Sequence, residues 1–424
     1  MCVMKTVIFV FFIMGVVLEN FGFSSEASLL PAELQKLTEY SKPDYWEKRF
    51  AIPKIEREKL ITAIEAMRAY YLNNQLPDGT FLYILDITKN EKKDIKHQVR
   101  GAGALWGLSC LDRERFTKNS RLATMKGLNF FIRNEKKLLS GNTATVFPGE
   151  KIIDTGTAAL YSLALIEFIR GQDKRLPPEI MNRYRVSLEH QLKFLRYMEL
   201  ANGSWSEGYD VSTGFRSPAG SPYYDGECLL AYVKAAKYLK KTELLARIDE
   251  ALPKLIEKYT VNCWKPGQIN DDCKGFSQWG CMAMGEYVEA GWEENADLAA
   301  KAALSIAWWL IDYNKLEWKN GNTGYAVEGL MGAWQVARKI GDTKAMAKLQ
   351  EVSERVMGRL LTMQVQGPYA QNNEFLALHK RRLPQQAYGG VLMAPQYGQI
   401  RIDNVQHQLH AMLMMLDAFY PEGK

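Results

Sequence analysis

The chain has 424 residues, 47% hydrophobic and 24% charged, with 32 Gly and 15 Pro. Those fractions belong to a soluble globular protein and exclude a disordered tail, a collagen-like rod and a multi-span membrane protein. The formal charge of +6 is not gathered into a dense basic run, so nucleic acid is not an expected partner, while an acidic polymer is tolerated.

In chain order, residues 1–27 read as a secretory signal. Lys5 supplies a positive start, 6–18 is an uncharged run too short to span a bilayer comfortably, and Ser25-Glu26-Ala27 offers a small-x-small cleavage site. The expectation is an exported protein, periplasmic or extracellular, with no stable membrane insertion after cleavage and a single domain over 28–424. Cleavage removes Cys2 and leaves five cysteines, an odd number. Cys110, Cys228 and Cys281 fall in apolar helical segments. Cys263 and Cys273 flank a polar loop, where an oxidising compartment would allow a bridge. No C-x-x-C pair or His/Cys cluster has zinc spacing, and neither metal nor cofactor is expected.

Two kinds of helical segment then alternate six times. Amphipathic stretches with charged faces cover 55–73, 117–134, 178–200, 242–259, 295–314 and 343–364, with apolar residues at i, i+3, i+4 and i+7. Between them lie apolar segments rich in small residues, beginning at Gly103, Gly156, Gly226, Gly280, Gly329 and Gln408. A helix apolar on most sides must be buried. Six buried helices ringed by six amphipathic ones predict an all-α (α/α)6 toroid. An open solenoid would have short, similar connections, but the loops at 82–96, 201–225, 261–277 and 367–403 are long and unequal. β-branched alternating runs are almost absent.

Short motifs punctuate the connections. Gln75-Leu-Pro-Asp78-Gly79-Thr-Phe81 is echoed by Glu199-Leu-Ala-Asn202-Gly203-Ser-Trp205 and, in degenerate form, by Asn322-Thr-Gly324-Tyr325. Asp or Asn followed by Gly makes a tight turn, and the aromatic anchors the chain before it crosses to the inner ring. Tyr223-Tyr224-Asp225-Gly226-Glu227 opens an inner helix. In these pieces the chain resembles the α/α-toroid (six-hairpin) superfamily of glycosidases, polysaccharide lyases, sugar epimerases and terpenoid cyclases. The segment from Arg401 through Asp403, Asn404 and Gln406 to His407 is similar to the last inner-helix entry of uronyl C5-epimerase-like proteins. The resemblance implies a carbohydrate-active protein. The Asp-x-Asp-Asp acid of the cyclases is absent.

In such a barrel the inner helices run parallel, so their N-terminal ends share one rim. The polar residues there are Gln98 and Arg100, Asp154 and Thr155, Tyr224 with Asp225 and Glu227, Ser277 with Gln278 and Trp279, Tyr325 with Glu328, and Asn404 with Gln406 and His407. Asp154, Asp225, Ser277 and Asn404 have a competing reading as N-caps. Glycoside hydrolysis needs two carboxylates; Glu227 and Asp154 are the first pair, with Glu328 as substitute. Lyase or C5-epimerase chemistry on an acidic glycan needs a base, Tyr224 or His407, and a cation, Arg100, to neutralise a carboxylate. Gln98, Gln278, Asn404 and His407 are the expected polar contacts. Trp106, Trp205, Trp279 and Tyr325 are the candidate stacking rings, Trp106 more in the manner of core. His407 and His410 as a metal pair, Asp403 and His407 as an ion pair, Asn270-Asp271-Asp272 as a calcium loop and the basic run 379–382 as a substrate guide complete the set of weaker readings. The expected partner is a poly- or oligosaccharide, neutral or acidic, and the rival to an enzyme is a non-catalytic glycan-binding or envelope-assembly protein.

Overall fold

A computed structural model describes residues 52–93, 97–172, 176–262 and 271–422. The signal segment and one half of the Cys263–Cys273 pair therefore lie outside the described residues, and Cys273 itself is buried.

The helices are α1 (Arg57–Asn74), α2 (Gln98–Glu114), α3 (Lys118–Arg133), α4 (Thr155–Gln172), α5 (Pro178–Met198), α6 (Pro222–Leu239), α7 (Leu245–Ile256), α8 (Asp271–Ala290), α9 (Ala296–Trp308), α10 (Gly324–Ile340), α11 (Thr343–Thr362), the short α12 (Glu374–His379) and α13 (Ile402–Phe419). Helices α2, α4, α6, α8, α10 and α13 pack each against the next, and α13 returns to α2, closing a ring. Helices α1, α3, α5, α7, α9 and α11 pack around that ring. This is the (α/α)6 toroid that the alternation predicts.

The composition of the inner segments explains how six helices share one axis. Gly285 on α8 and Gly332 on α10 face one another, and a Cβ on Gly332 would stand 2.5 Å from the carbonyl oxygen of Cys281. Small residues let these backbones touch. Outer helices start and stop by local chemistry. Thr117 and Ser120 cap α3 reciprocally, Asp342 caps α11 by accepting the Ala345 N–H at 2.9 Å and Pro178 occupies the first turn of α5.

The few strands are short and lie in the connections. Among the described residues eight strands of three to five residues stitch the rim: β1 (Ile84–Asp86), β2 (Glu91–Lys93), β3 (Glu135–Lys137), β4 (Thr143–Thr145), β5 (Ile152–Asp154), β6 (Gly208–Asp210), β7 (Leu392–Ala394) and β8 (Tyr397–Arg401). Strand β5 runs directly into α4 and pairs antiparallel with β6. Strand β8 runs directly into α13 and pairs antiparallel with β1. Each such pairing ties the approach to an inner helix to the loop of a neighbouring hairpin. Three-residue strands are too short to show a period-2 pattern.

Both full copies of the turn motif close identically. Gln75 bridges to Phe81 and Glu199 to Trp205, with Gly79 at φ 103° and Gly203 at φ 81°, a region open mainly to glycine. Asp78 Oδ1 accepts the Thr80 N–H at 2.9 Å, as Asn202 Oδ1 accepts that of Ser204 at 3.1 Å.

Candidate active site

The first turns of the inner helices enclose a cavity of about 620 Å³, within the usual range for a small-molecule site. Arg100 comes from α2, Leu160 from α4, Tyr224 and Glu227 from α6, Lys274, Gln278 and Trp279 from α8, Tyr325 from α10, and Asp403, Asn404, Gln406 and His407 from α13. The shared rim is thus a shared wall. Six residues of the predicted rim stand outside that wall: Gln98, Asp154, Thr155, Asp225, Ser277 and Glu328.

Glu227 is the focal group. It is 3% exposed, and its Oε2 is buried without a hydrogen-bond partner. Gly156 on α4 makes this packing possible: a Cβ there would lie 2.6 Å from that oxygen and 2.5 Å from the Tyr224 ring. Burial, reinforced by the nearby Asp154, pushes the carboxyl well above the usual carboxylate range, against the opposing pull of Arg100. Its surroundings therefore favour the protonated form of the Glu227 carboxyl. Asp154, at the end of β5, is pushed up to about 6 by burial, with Glu150 and Glu207 adding to the effect. Tyr224 is driven up by burial and by Asp154 and Glu227.

Gln98 does not reach the cavity. Its Nε2 donates to the Ile152 carbonyl at 2.9 Å, and its Oε1 accepts from the Asp154 N–H at 3.2 Å and the Thr157 hydroxyl at 3.1 Å. It fastens β5 to α2 and so sets where Asp154 sits. Glu328 is fully buried. Its Oε2 accepts from Gln278 Nε2 at 2.6 Å and faces His407 Nδ1 at 2.8 Å, while Oε1 faces His410 Nδ1 at 2.7 Å. The carboxylate thus steadies two imidazoles, and His407, with Nδ1 committed, offers Nε2 to the cavity.

Arg100 pairs with Asp403, as does Arg401, whose Nε donates to Asp403 Oδ1 at 3.0 Å. Burial raises the Asp403 carboxyl, but the two guanidiniums outweigh it and hold it below the usual range. The expected Asp403–His407 ion pair gives way to this cluster. Lys274 carries a cavity cation that forms no ion pair with any described residue. Sequence reasoning passed over Lys274, met Arg401 only as the start of the epimerase-like segment and met His410 only as half of a metal pair.

Several weaker readings also change. Asp225 is not a cap: the N-cap of α6 is Ser221. Asp225 is instead a fully buried clamp, accepting from the Trp205 N–H at 2.7 Å and the Tyr259 hydroxyl at 2.6 Å. Ser277 donates to the Lys274 carbonyl within α8, and the N-cap of α13 is Arg401, not Asn404. Trp205 is core at 1% exposed, so it cannot stack on a ligand, and Trp106 is core as well. Trp279 reaches the cavity but packs between Trp106 at 5.3 Å and His407 at 5.9 Å. Tyr325 lies 6.4 Å from His407. Among the described residues no cluster of His, Cys, Asp or Glu could hold a metal; Asn270 lies outside them, and Asp271 and Asp272 are exposed.

Comparison with solved structures finds the same shape in other chains. A D-mannose isomerase superposes with a TM-score of 0.59 at 11% identity, over 86% of this chain and 98% of that one. A cellobiose 2-epimerase from Bacillus thermoamylovorans gives 0.57 at 11% identity, over 85% and 99%. An inactive variant of an alpha-1,6-mannanase of Salegentibacter sp., in complex with alpha-1,6-mannotetrose, gives 0.55 at 12% identity, over 84% and 98%. At such identities the likeness establishes the fold, an (α/α)6 toroid spanning nearly the whole of those chains. No protein-family model matches the chain, and no curated protein matches it in sequence.

Proposed function

We propose that the protein is an exported, carbohydrate-active enzyme of glycoside-hydrolase type, with Glu227 as general acid on an oligo- or polysaccharide and Asp154, outside the cavity wall beside it, as the ionised carboxylate that favours the proton on Glu227. The observation that carries this reading is the Glu227 carboxyl: buried in the cavity wall, without a hydrogen-bond partner at Oε2 among the described residues and shifted toward its protonated form. A carboxylic acid in that state can protonate a leaving oxygen. Asp154, pushed only to about 6, is ionised at neutral pH. The shape neighbours include a mannanase as well as an isomerase and an epimerase, and the export signal at 1–27 suits a protein that meets glycans outside the cytoplasm.

A second reading has its own observation. Glu328 fixes Nδ1 of His407, which makes Nε2 a base for a carbon-bound proton, with Glu227 as the opposing acid. That pair would epimerise or isomerise a sugar, or eliminate across a uronate.

Product mass spectrometry over a panel of neutral and acidic glycans in heavy water separates the two. Shortened chains bearing solvent oxygen support hydrolysis, deuterium on uncleaved sugar supports the His407 reading, and unaltered glycans throughout overturn both. Glu227→Gln is expected to lower turnover by about 10²–10⁴-fold. In the hydrolytic reading activity rises with pH through about 6 as Asp154 ionises, and Asp154→Asn abolishes that limb along with the activity it reports.

A further inference from the structure

The wall of the cavity carries more positive charge than its own carboxylates answer. Its cations are Arg100, Lys274 and Arg401, and its acids are Glu227 and Asp403. Asp403 already holds both arginines, and the surroundings of Glu227 favour its protonated form. Lys274, in the first turn of α8, therefore lines the cavity without a counter-charge among the described residues. A second lysine stands close by. Lys319 lies just ahead of α10, and Gly321 and Asn322 beyond it line the cavity. Lys319 is partly buried and forms no ion pair with any described residue. Burial lowers its pKa, and the charge on Lys274 lowers it further, against the opposing Asp271. Arg359 pins the lysine's main chain by donating to its carbonyl. Two like charges held together by separate elements repel one another, and an anion set between them relieves that repulsion.

We propose that the mouth of the cavity, where α6, α8 and the approach to α10 meet, is a subsite for an acidic sugar residue, with Lys274 and Lys319 holding its carboxylate or sulfate and Tyr223 supporting its ring. Tyr223 lies four residues before Glu227 on α6, so the two side chains share a helix face one turn apart. The tyrosine is 46% exposed and lines the cavity, whereas Trp106 and Trp205 are core. It is seated against α8 beside Lys274. A Cβ on Gly275 would lie 3.0 Å from Tyr223 Cε2 and 2.8 Å from Pro222 Cγ, so the glycine lets the two helices close around the ring. An aromatic ring offers an apolar surface to the C–H face of a sugar. A sugar residue resting there has its next glycosidic oxygen one helical turn inward, at Glu227, and its anionic group at the lysines. The subsite rests on the reading of the cavity as a glycan site; the uncompensated charge does not.

Titration calorimetry tests the subsite as a binding equilibrium. The full chain carrying Glu227→Gln, whose amide stands in for the protonated acid and slows turnover, is titrated with trisaccharides of glucuronate, galacturonate and mannuronate, with their carboxyl-reduced counterparts, and with a sulfated galactose trisaccharide. At least one acidic trisaccharide should bind about fivefold or more tightly than its uncharged counterpart, and the preference should shrink between about 0.05 M and about 0.5 M salt. Whether the carboxylate or the sulfate is preferred identifies the anionic group. Adding Lys274→Gln should bring the acidic and uncharged affinities within about twofold of each other and leave the uncharged sugar bound as before. Lys319→Gln should do the same in part, and it serves as the second variant should Lys274→Gln fail to fold. Tyr223→Ala should weaken acidic and uncharged sugars alike. Uncharged sugars bound as tightly as every acidic one, or an acidic preference that survives loss of the lysines, overturns the subsite and leaves the glycan reading standing. No trisaccharide bound at all overturns that reading and the subsite with it.

Discussion

The two ends of the barrel bury the same side chain to opposite effect. Glu167 on α4 and Glu227 on α6 are both glutamates on inner helices, and both are almost wholly shielded from solvent. Around Glu167 stand Lys234 at 2.7 Å, Arg113 at 2.6 Å and Arg170 at 2.8 Å, and these cations hold its carboxyl far below the ordinary range despite burial. Around Glu227 stand another carboxylate, Asp154, and the opposing Arg100, and no described residue forms an ion pair with it. Burial sets the cost of a charge, and the neighbours decide whether it is met. At the rear it is met three times over, which is what a structural network requires. At the front Arg100 offsets it only in part, and the balance shifts toward the protonated form. A fold gains nothing in stability from such a group, whereas proton transfer requires one.

Removing Lys234 breaks the comparison most severely. Lys234 bridges Glu167 and Glu286 at 2.7 Å and 3.0 Å. Lys234→Met leaves two buried carboxylates short of a cation and should cost about 3–5 kcal/mol of stability, read as a lower denaturant midpoint. The same network predicts acid sensitivity. Glu167 and Glu286 both have folded pKa values below their unfolded ones, Glu286 at about 2. Their contribution is present above the unfolded value and is lost as pH falls through the folded one. Glu286→Gln should flatten the fall in stability between about pH 4.5 and pH 2.

The front acid should respond with the opposite sign. The folded pKa of Glu227 lies above its unfolded value, so the unfolded chain releases a proton that the folded chain retains. Stability therefore declines as pH rises above the unfolded value and levels off only beyond the folded one. Glu227→Gln removes that penalty. The variant should unfold at a higher denaturant concentration than wild type at pH 7, and the difference should vanish below about pH 4. A variant that loses activity while gaining stability is the signature of a group kept for chemistry. A loss of stability at pH 7 would place Glu227 with Glu167 instead.

The helical ring was legible because its two helix types differ in composition as well as in period. Thr155–Gln172 carries almost no charge, whereas Pro178–Met198 alternates charged and apolar positions, and that contrast survives without any tertiary information. The site was legible only to the level of the rim. Sequence places Gln98, Arg100 and Glu328 within a turn of a helix start but does not say which face of that turn meets the axis. Gln98 turns toward β5, Arg100 toward the cavity, and Glu328 inward to two imidazoles. The pairings that decide their roles are non-local: Arg100 with Asp403 is separated by 303 residues and Glu328 with His407 by 79. One signal did lie within reach. Phe81 and Trp205 are each followed five residues later by an aspartate, Asp86 and Asp210, whose Oδ1 accepts the N–H of Thr88 at 3.0 Å and of Ser212 at 2.8 Å. The turn motif is longer than its first seven residues, and its second half builds β1 and β6.

Those two copies also supply the finest comparison. Gly79 and Gly203 occupy the same place in the motif, and both have positive φ, so an alanine at either bears the strain of a left-handed conformation, about 1 kcal/mol. Their surroundings differ. A Cβ at Gly79 would stand 2.4 Å from the carbonyl oxygen of Lys126, which belongs to the α3 backbone. A Cβ at Gly203 would stand 2.8 Å from Cδ and 2.9 Å from Cβ of Lys254; the Cδ can swing aside, whereas the Cβ can give way only with its backbone. Gly203→Ala should therefore cost more than the backbone strain but less than Gly79→Ala, whose closest contact is shorter and is itself main chain. Gly79→Ala must also push the turn away from the α3 main chain, and should cost about 2–3 kcal/mol. Equal midpoints in chemical denaturation would mean that α3 yields as readily as a lysine stem, and that the first hairpin of the ring is packed no more tightly than the third.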